Sequence, residues 1–205
     1  MLNIAILIPA AGASSRMRGL DKLTENIDGL PLLRRQALRA KATGAHVAVT
    51  LPDWHHPRAA VLQGLPVQVI EVPDSDLGMS ASIRRGVGFL PRDITAVVIL
   101  PADMPEIETE DIQKLIQSFQ SIPYPMLQQA TTEDGTPGHP VLFPADCFMA
   151  LQTLTGDHGA REILRMNAHR LRHVVLPGRR ALIDLDTPEA WTAWREAHKD
   201  TCLIG

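Results

Sequence analysis

Short runs of apolar, often β-branched residues alternate along this chain with longer stretches whose apolar positions recur at helical spacing. The short runs predict strands over Asn3–Ile8, Ala45–Leu51, Val67–Val72, Ala96–Leu100, Met126–Gln129, Val141–Phe143, Leu171–Leu176 and Ala181–Asp184. The longer stretches predict helices over Pro31–Thr43, Ser80–Leu90, Thr109–Gln120, Pro144–Leu154, Gly159–Ala168 and Pro188–His198. Pro31 and Pro188 suit a first helical position, where a missing N–H loses no hydrogen bond, and Thr187 is placed to cap the last helix. Strand and helix in alternation predict an α/β fold with a mostly parallel central sheet. In such sheets ligands gather beyond the carboxyl ends of the strands. No repeat, low-complexity tract or linker interrupts the pattern, so residues 1–205 read as a single domain. The stretch Thr131–His139, rich in Gly, Thr and acids, reads as a functional loop.

Composition agrees with one full core: of 205 residues, 45% are hydrophobic and 21% charged. Aromatics are 4%, so that core must rest on Leu, Ile, Val, Ala and Met. A net charge of −3 and the lack of a long basic run argue against nucleic acid as a partner. The run Ile4–Ile8 is too short to span a bilayer and has no positive segment before it. It reads as a buried strand in a cytoplasmic protein with no membrane partner. Cys147 and Cys202 form no Cys-x-x-Cys pattern and read as free thiols. Trp54-His55-His56-Pro57 has no Cys or carboxylate at ligand spacing and reads as a polar loop, and Trp191 and Trp194 are spaced to face a core.

The candidate chemistry begins where the first predicted strand empties into Pro9-Ala10-Ala11-Gly12-Ala13-Ser14-Ser15-Arg16-Met17, with Asp21-Lys22-Leu23 shortly after. Small residues let the main chain approach a triphosphate, exposed N–H groups point at its oxygens, and Arg16 and Lys22 neutralise charge. The loop has neither the Gly-Lys pair of the Walker motif nor Gly-x-Gly-x-x-Gly. Farther on, the run Ala96–Leu100 ends in Pro101-Ala102-Asp103-Met104-Pro105. A carboxylate at a strand's carboxyl edge beside a phosphate loop is a natural ligand for Mg²⁺, which takes hard oxygen donors. Asp184 and Asp186, two apart, would share a face of a strand. Gly78-Met79-Ser80-Ala81-Ser82 opens a predicted helix, where free N–H groups and the Ser80 and Ser82 hydroxyls are placed to bind a base edge or a ribose.

These blocks, in this order, resemble the nucleotidyltransferases of the molybdenum-cofactor family. The family's opening motif runs roughly Leu-x-Ala/Gly-Gly-x-Ser-x-Arg-Met-Gly-x-x-Lys. Here Arg18 stands in the place of the Gly after Met and Gly19 follows, so the loop is one residue longer. The resemblance covers Ile4 to Trp194 and implies a Rossmann-like three-layer nucleotidyltransferase fold. It implies that Asp103, in the Asp-Met-Pro motif, is a metal ligand and that Asp186 completes the Mg²⁺ site, with Asp184 holding the loop or a water. Gly78 to Ile83 is similar to the family's Gly-Leu/Met-Ser-x-Ser-Leu run. Gly138-His139-Pro140 and Gly156-Asp157-His158-Gly159-Ala160-Arg161 are similar to the acceptor side. This places Gly138, His139, Pro140, Asp157 and Arg161 against a pterin, with Arg161 gripping its terminal phosphate.

The implied reaction is attack of a substrate phosphate on the α-phosphorus of a nucleoside triphosphate. The attacking phosphate is already anionic and needs no general base, so positioning and charge neutralisation carry the rate. Arg16 and Lys22 would offset charge on the departing pyrophosphate. The implied partners are CTP or GTP, molybdopterin or molybdenum cofactor, and a molybdoenzyme or its chaperone. The cytidylyl branch tends to carry Ala-Ala-Gly where the guanylyl branch carries Ala-Gly-Gly. The methyl of Ala11 would crowd a purine, so CTP is expected first, with a selectivity of only ~1–3 kcal/mol for one methyl group. The alternatives are a guanylyltransferase for the same cofactor, a transferase acting on a phosphosugar or phosphoalcohol, and a carrier of molybdenum cofactor without catalysis.

Overall fold

The computed structural model describes residues 3–156 and 160–198. Along the chain run β1 (Ile4–Pro9), the hairpin β2 (Asn26–Ile27) and β3 (Leu30–Pro31), α1 (Leu32–Ala42), β4 (His46–Leu51), α2 (Pro57–Val61), β5 (Gln68–Glu71), α3 (Met79–Gly88) and β6 (Ala96–Ile99). There follow α4 (Thr109–Gln120), β7 (Leu127–Thr131), β8 (Pro137–Pro144), α5 (Phe148–Gln152), α6 (Arg161–Met166), β9 (Leu171–Val175) and α7 (Pro188–Ala197).

Seven of these strands form one sheet in the order β5-β4-β1-β6-β8-β7-β9. β5, β4, β1 and β6 pair in parallel, and β7 pairs with β9 in parallel, while β8 runs antiparallel to both β6 and β7. The sheet is thus mostly parallel, with one reversed strand near its middle.

Alternation along the strands sends neighbouring residues to opposite faces and so produces three layers. Ile4, Ile6 and Ile8 of β1 join Leu33, Ala37, Ile112, Leu115 and Trp191 in one buried cluster beneath α1, α4 and α7. Ala5 and Leu7 face the other way and join Ile83, Val87, Leu151 and Ile163 beneath α3, α5 and α6. Both faces are covered, which is why these strands read as continuous apolar runs. Gly86 lets α3 lie close on β1: a Cβ there would fall 2.5 Å from Leu7 Cδ1.

Several expectations need correction. Ala181–Asp184 is not a strand. It is a turn in which Leu182 N–H donates to the Arg179 carbonyl at 2.9 Å, and its apolar residues served only to bury Ala181. The expected loop Thr131–His139 is shorter than foreseen, a turn over 132–136, because Thr131 closes β7 and Pro137 already opens β8. Pro144 ends β8 and is followed by a 3₁₀ turn, Ala145–Cys147, so the helix expected from Pro144 begins only at Phe148. Pro31 closes the β2–β3 hairpin and caps α1 from outside. That hairpin and α2 were not foreseen; each is too short to show a period. At the other end of the chain Thr187 caps α7 as expected, its hydroxyl accepting from Ala190 N–H at 3.2 Å. Cys147 is a buried free thiol. No helix among the described residues is long and apolar enough to cross a membrane.

Candidate functional site

The carboxyl ends of β1 and β6 open onto a cleft of about 1080 Å³. On one side lies the loop after β1. Its start is fixed by Ala10 N–H, which donates to the Thr50 carbonyl at 3.1 Å. A 3₁₀ turn, Ser15–Met17, follows, bracketed by Ser14 and Arg18 in the left-handed region at φ 50° and 52°. Left-handed backbone costs a side-chain-bearing residue about 1–2 kcal/mol, so something must hold the loop in this shape. Among the described residues, the N–H groups of Ala11, Gly12, Ala13 and Ser14 donate to no protein acceptor. A succession of unused amides in a loop of this kind is an anion cradle. Open space lies where a Cβ would stand on Gly12.

Facing the loop is an acidic centre. Asp103 follows β6 and Asp186 precedes α7, and Leu185 N–H donates to the Asp103 carbonyl at 3.0 Å, which ties the two segments together. Lys22 bridges them: its Nζ lies 2.5 Å from Asp103 and also contacts Asp186. Arg16 pairs with Asp186 at 2.6 Å. Burial alone would lower the pKa of Lys22, but Asp103 and Asp186 outweigh it and hold the ammonium above the ordinary lysine value. Burial likewise opposes ionisation of Asp186, and Lys22 and Arg16 reverse the balance and hold it below the ordinary aspartate value. At Asp184 the pull of Lys22 is the weakest influence and does not prevail. Burial, then Asp103 and Asp186, push its pKa up. The carboxylates of Asp103, Asp184 and Asp186 offer oxygens all within 4.8 Å of one another. Hard oxygen donors this close, one of them disfavoured as an anion by its neighbours, fit a divalent cation.

The third wall comes from the reversed strand. Because β8 opposes β6 in the register Ile99↔Val141, its amino end lies beside the segment that carries Asp103. Gly138 and His139 therefore face the cleft. His139 N–H donates to the Ala181 carbonyl at 2.8 Å. A Cβ on Gly138 would stand 2.0 Å from that same carbonyl oxygen, so only glycine fits there. Removal from water lowers the pKa of His139; Asp103 pulls it back up and Arg161 pushes it further down. Arg161 opens α6 and lines the cleft, as does Arg165, which pairs with Glu162 at 2.6 Å.

Of the residues singled out from the sequence, Pro9, Ala10, Gly12, Ala13, Ser14, Ser15, Arg16, Lys22, Ser82, Asp103, Gly138, His139, Arg161 and Asp186 line this one cleft. Ala11, Gly78, Ser80 and Pro140 do not. Ser80 and Pro140 are buried, and Gly78 caps α3 at φ 87°. The side chain of Ala11 is only 2% exposed and packs with Val72 and Ala81. Its methyl therefore does not crowd a base directly, as the sequence had suggested. Asp157 lies outside the described residues.

Three residues passed unnoticed in the sequence. Arg58, at the start of α2, is 2% exposed and grips the loop after β1. From α1, Gln36 donates to the Met104 carbonyl, and Arg39 donates to the carbonyls of Pro105 and Ile107 at 2.6 and 3.0 Å. These hold the segment that follows Asp103. The only sequence signal for Gln36 and Arg39 was polar side chains on the face of α1 that otherwise buries Leu32, Leu33, Ala37 and Ala40.

An amide cradle facing an acidic centre across one cleft, at the carboxyl edge of a three-layer sheet, defines an α/β protein built to hold a polyanion beside a cation. The chain belongs to the MobA-like NTP transferase domain family, whose model matches residues 6–174. It is 36% identical over 118 residues to a protein of Natronomonas pharaonis named "Probable molybdenum cofactor guanylyltransferase", a match covering 56% of each. The chain thus spans about half the length of that curated relative. The fold is shared with Rv0371c of Mycobacterium tuberculosis H37Rv at a TM-score of 0.82, with 22% identity over 95% of this chain and 98% of that one. Rv0371c is also known as a manganese complex, which aligns at a TM-score of 0.78 with 21% identity. The CTP complex of CMP:2-keto-3-deoxy-manno-octonic acid synthetase shares the fold at a TM-score of 0.75, with 17% identity over 97% and 99% of the two chains.

Proposed function

We propose that this protein is a divalent-metal-dependent nucleotidyltransferase that moves CMP from CTP to the terminal phosphate of molybdopterin or molybdenum cofactor and releases pyrophosphate. One observation carries the reading. Lys22 joins Asp103 to Asp186 in the same cleft that the unused amides of Gly12, Ala13 and Ser14 line. A pure carrier of a phosphorylated cofactor has no use for that pairing of anion cradle and carboxylate centre.

Each wall has a task. The amides of Gly12 to Ser14 hold the β- and γ-phosphates. Arg16 and Lys22 offset charge that grows on the leaving pyrophosphate. Asp103 and Asp186, with Asp184 beside them, would hold Mg²⁺, which when bound supplies charge neutralisation at phosphoryl oxygens. Arg161 and His139 hold the acceptor so that its phosphate lies in line with the α-phosphorus. No side chain need take a proton from an acceptor that is already anionic.

CTP remains the first reading for the Ala10-Ala11-Gly12 loop. With the methyl of Ala11 turned into packing, selection would act through the seating of the loop on Val72 and Ala81 rather than by contact with the base. A GTP reading is favoured by the name carried by the Natronomonas relative. The deciding experiment gives the purified protein an equimolar mixture of the four nucleoside triphosphates, with Mg²⁺ and molybdenum cofactor, and weighs the product by mass spectrometry. The cytidylyl adduct with stoichiometric pyrophosphate is expected. A guanylyl adduct moves the enzyme to the other branch, and no pyrophosphate from any triphosphate returns the chain to the carrier reading.

A further inference from the structure

Arg58 is a full charge inside the protein, and its hydrogen bonds are all directed at one object. Nε and Nη2 form a fork on Asp21, both at 2.7 Å. Nη1 donates to the carbonyls of Ala10 and Gly12 at 2.5 and 2.8 Å, and Nη2 donates to the Ser14 hydroxyl at 2.9 Å. A guanidinium has five N–H groups, and every one is spent between residues 10 and 21.

The direction of these bonds matters more than their number. In a trans peptide the C=O and the N–H of the following residue point opposite ways. Drawing the carbonyls of Ala10 and Gly12 toward Arg58 turns the N–H groups of Ala11 and Ala13 away from it. Those are among the amides left without a protein acceptor. The bond to the Ser14 hydroxyl, seconded by Ser14 donating to Asp21 at 3.2 Å, holds the residue whose backbone is left-handed at φ 50°. The fork on Asp21 fixes the residue just before Lys22. Burial opposes ionisation of Asp21, and Arg58 outweighs it and keeps the carboxylate charged.

We infer that Arg58 is a positioning residue for the triphosphate: from behind the loop, it aims the amides and Lys22 into the cleft. This rests on the nucleotidyltransferase reading above and deepens it. Among the described residues, the side-chain hydrogen bonds of Arg58 all end between residues 10 and 21 and none reaches β8 or α6, so its influence is expected on one of the two substrates.

The test is Arg58→Lys, which keeps the positive charge but has no planar fork and cannot reach both carbonyls and Asp21 together. Calorimetry with CTP and Mg²⁺, and with GTP and Mg²⁺, gives Kd; steady-state assays give KM for the acceptor. Nucleotide affinity is expected to fall about tenfold or more while the acceptor KM stays within about twofold. A role in folding alone would lower the melting temperature and the active fraction without separating the two substrates. Should Arg58→Lys fail to fold, Asp21→Asn, which keeps side-chain size and removes the charge facing the fork, carries the same expectation. Unchanged nucleotide affinity in the folded variant, or loss for both substrates in parallel, overturns the inference and leaves the nucleotidyltransferase reading standing. If the wild-type protein binds neither triphosphate, that reading falls and this one with it.

Discussion

The two halves of the sheet are built on different logic. In the half made of β5, β4, β1 and β6, every strand runs the same way, and the loops after β1 and β6 line the cleft. The cradle is one contiguous stretch, residues 9–22, braced by a single buried arginine. In the half containing β8, β7 and β9, the cleft wall is assembled from the amino end of a reversed strand, the first turn of α6 and the turn around Ala181. Few hydrogen bonds cross between those pieces. The difference teaches that one cleft can be walled on one side by a single local loop and on the other by parts brought together only by the fold.

That contrast can be broken experimentally. The largest effect is expected where the two halves meet: Asp103→Ala should lower kcat by about a thousandfold or more, because the carboxylate centre loses a ligand, while the melting curve stays close to wild type. Pyrophosphate release checks it, and near-normal turnover would remove Asp103 from the chemistry. A second, smaller effect should fall on one half alone. Gly138→Ala drives a methyl into the Ala181 carbonyl, and backbone cannot yield cheaply. Destabilisation of about 1–3 kcal/mol is expected in denaturant titration, with a raised acceptor KM and an unaltered CTP affinity. Loss of CTP affinity in that variant would mean the halves are not separable.

The smallest effect is a pH dependence. The folded pKa values of Asp21 and Asp186 lie below the ordinary 3.8, so both stabilise the fold above that value. That contribution is lost as the pH falls through their folded values. Asp184 is raised, so its ionisation opposes folding, and acid relieves that penalty in part. Lys22, raised above 10.5, contributes throughout this range. The melting temperature should drop below pH 3.8, and Asp21→Asn should flatten that drop. An unchanged acid profile in the variant would detach Asp21 from the stability of the loop.

Legibility in the sequence followed the same division. β1 and β6 are continuous apolar runs because both faces are covered, and the loop and Asp103 could be read at their ends. The turn at Ala181 presented Ala-Leu-Ile, which a run-based reading takes for a strand, although of the three only Ala181 is buried. Gly138 and Pro140 disguised the amino end of β8 as a loop, although Val141–Phe143 was read as strand, since both residue types ordinarily mark breaks. Arg58 sat beside Trp54-His55-His56-Pro57, where an arginine looks like one more polar surface residue. Its buried fork exists only once residues 10–21 fold back over it, and no local pattern encodes such a long-range closure.

The reversal of β8 has a consequence for how such proteins diversify. Because that strand enters from the cleft and leaves at the far edge, its amino end, Pro137 to His139, lines the cleft while its carboxyl end is anchored by the pairing Ala96↔Pro144. Substitutions at that amino end would therefore reshape one wall of the cleft without touching the pairing that fastens β8 to β6.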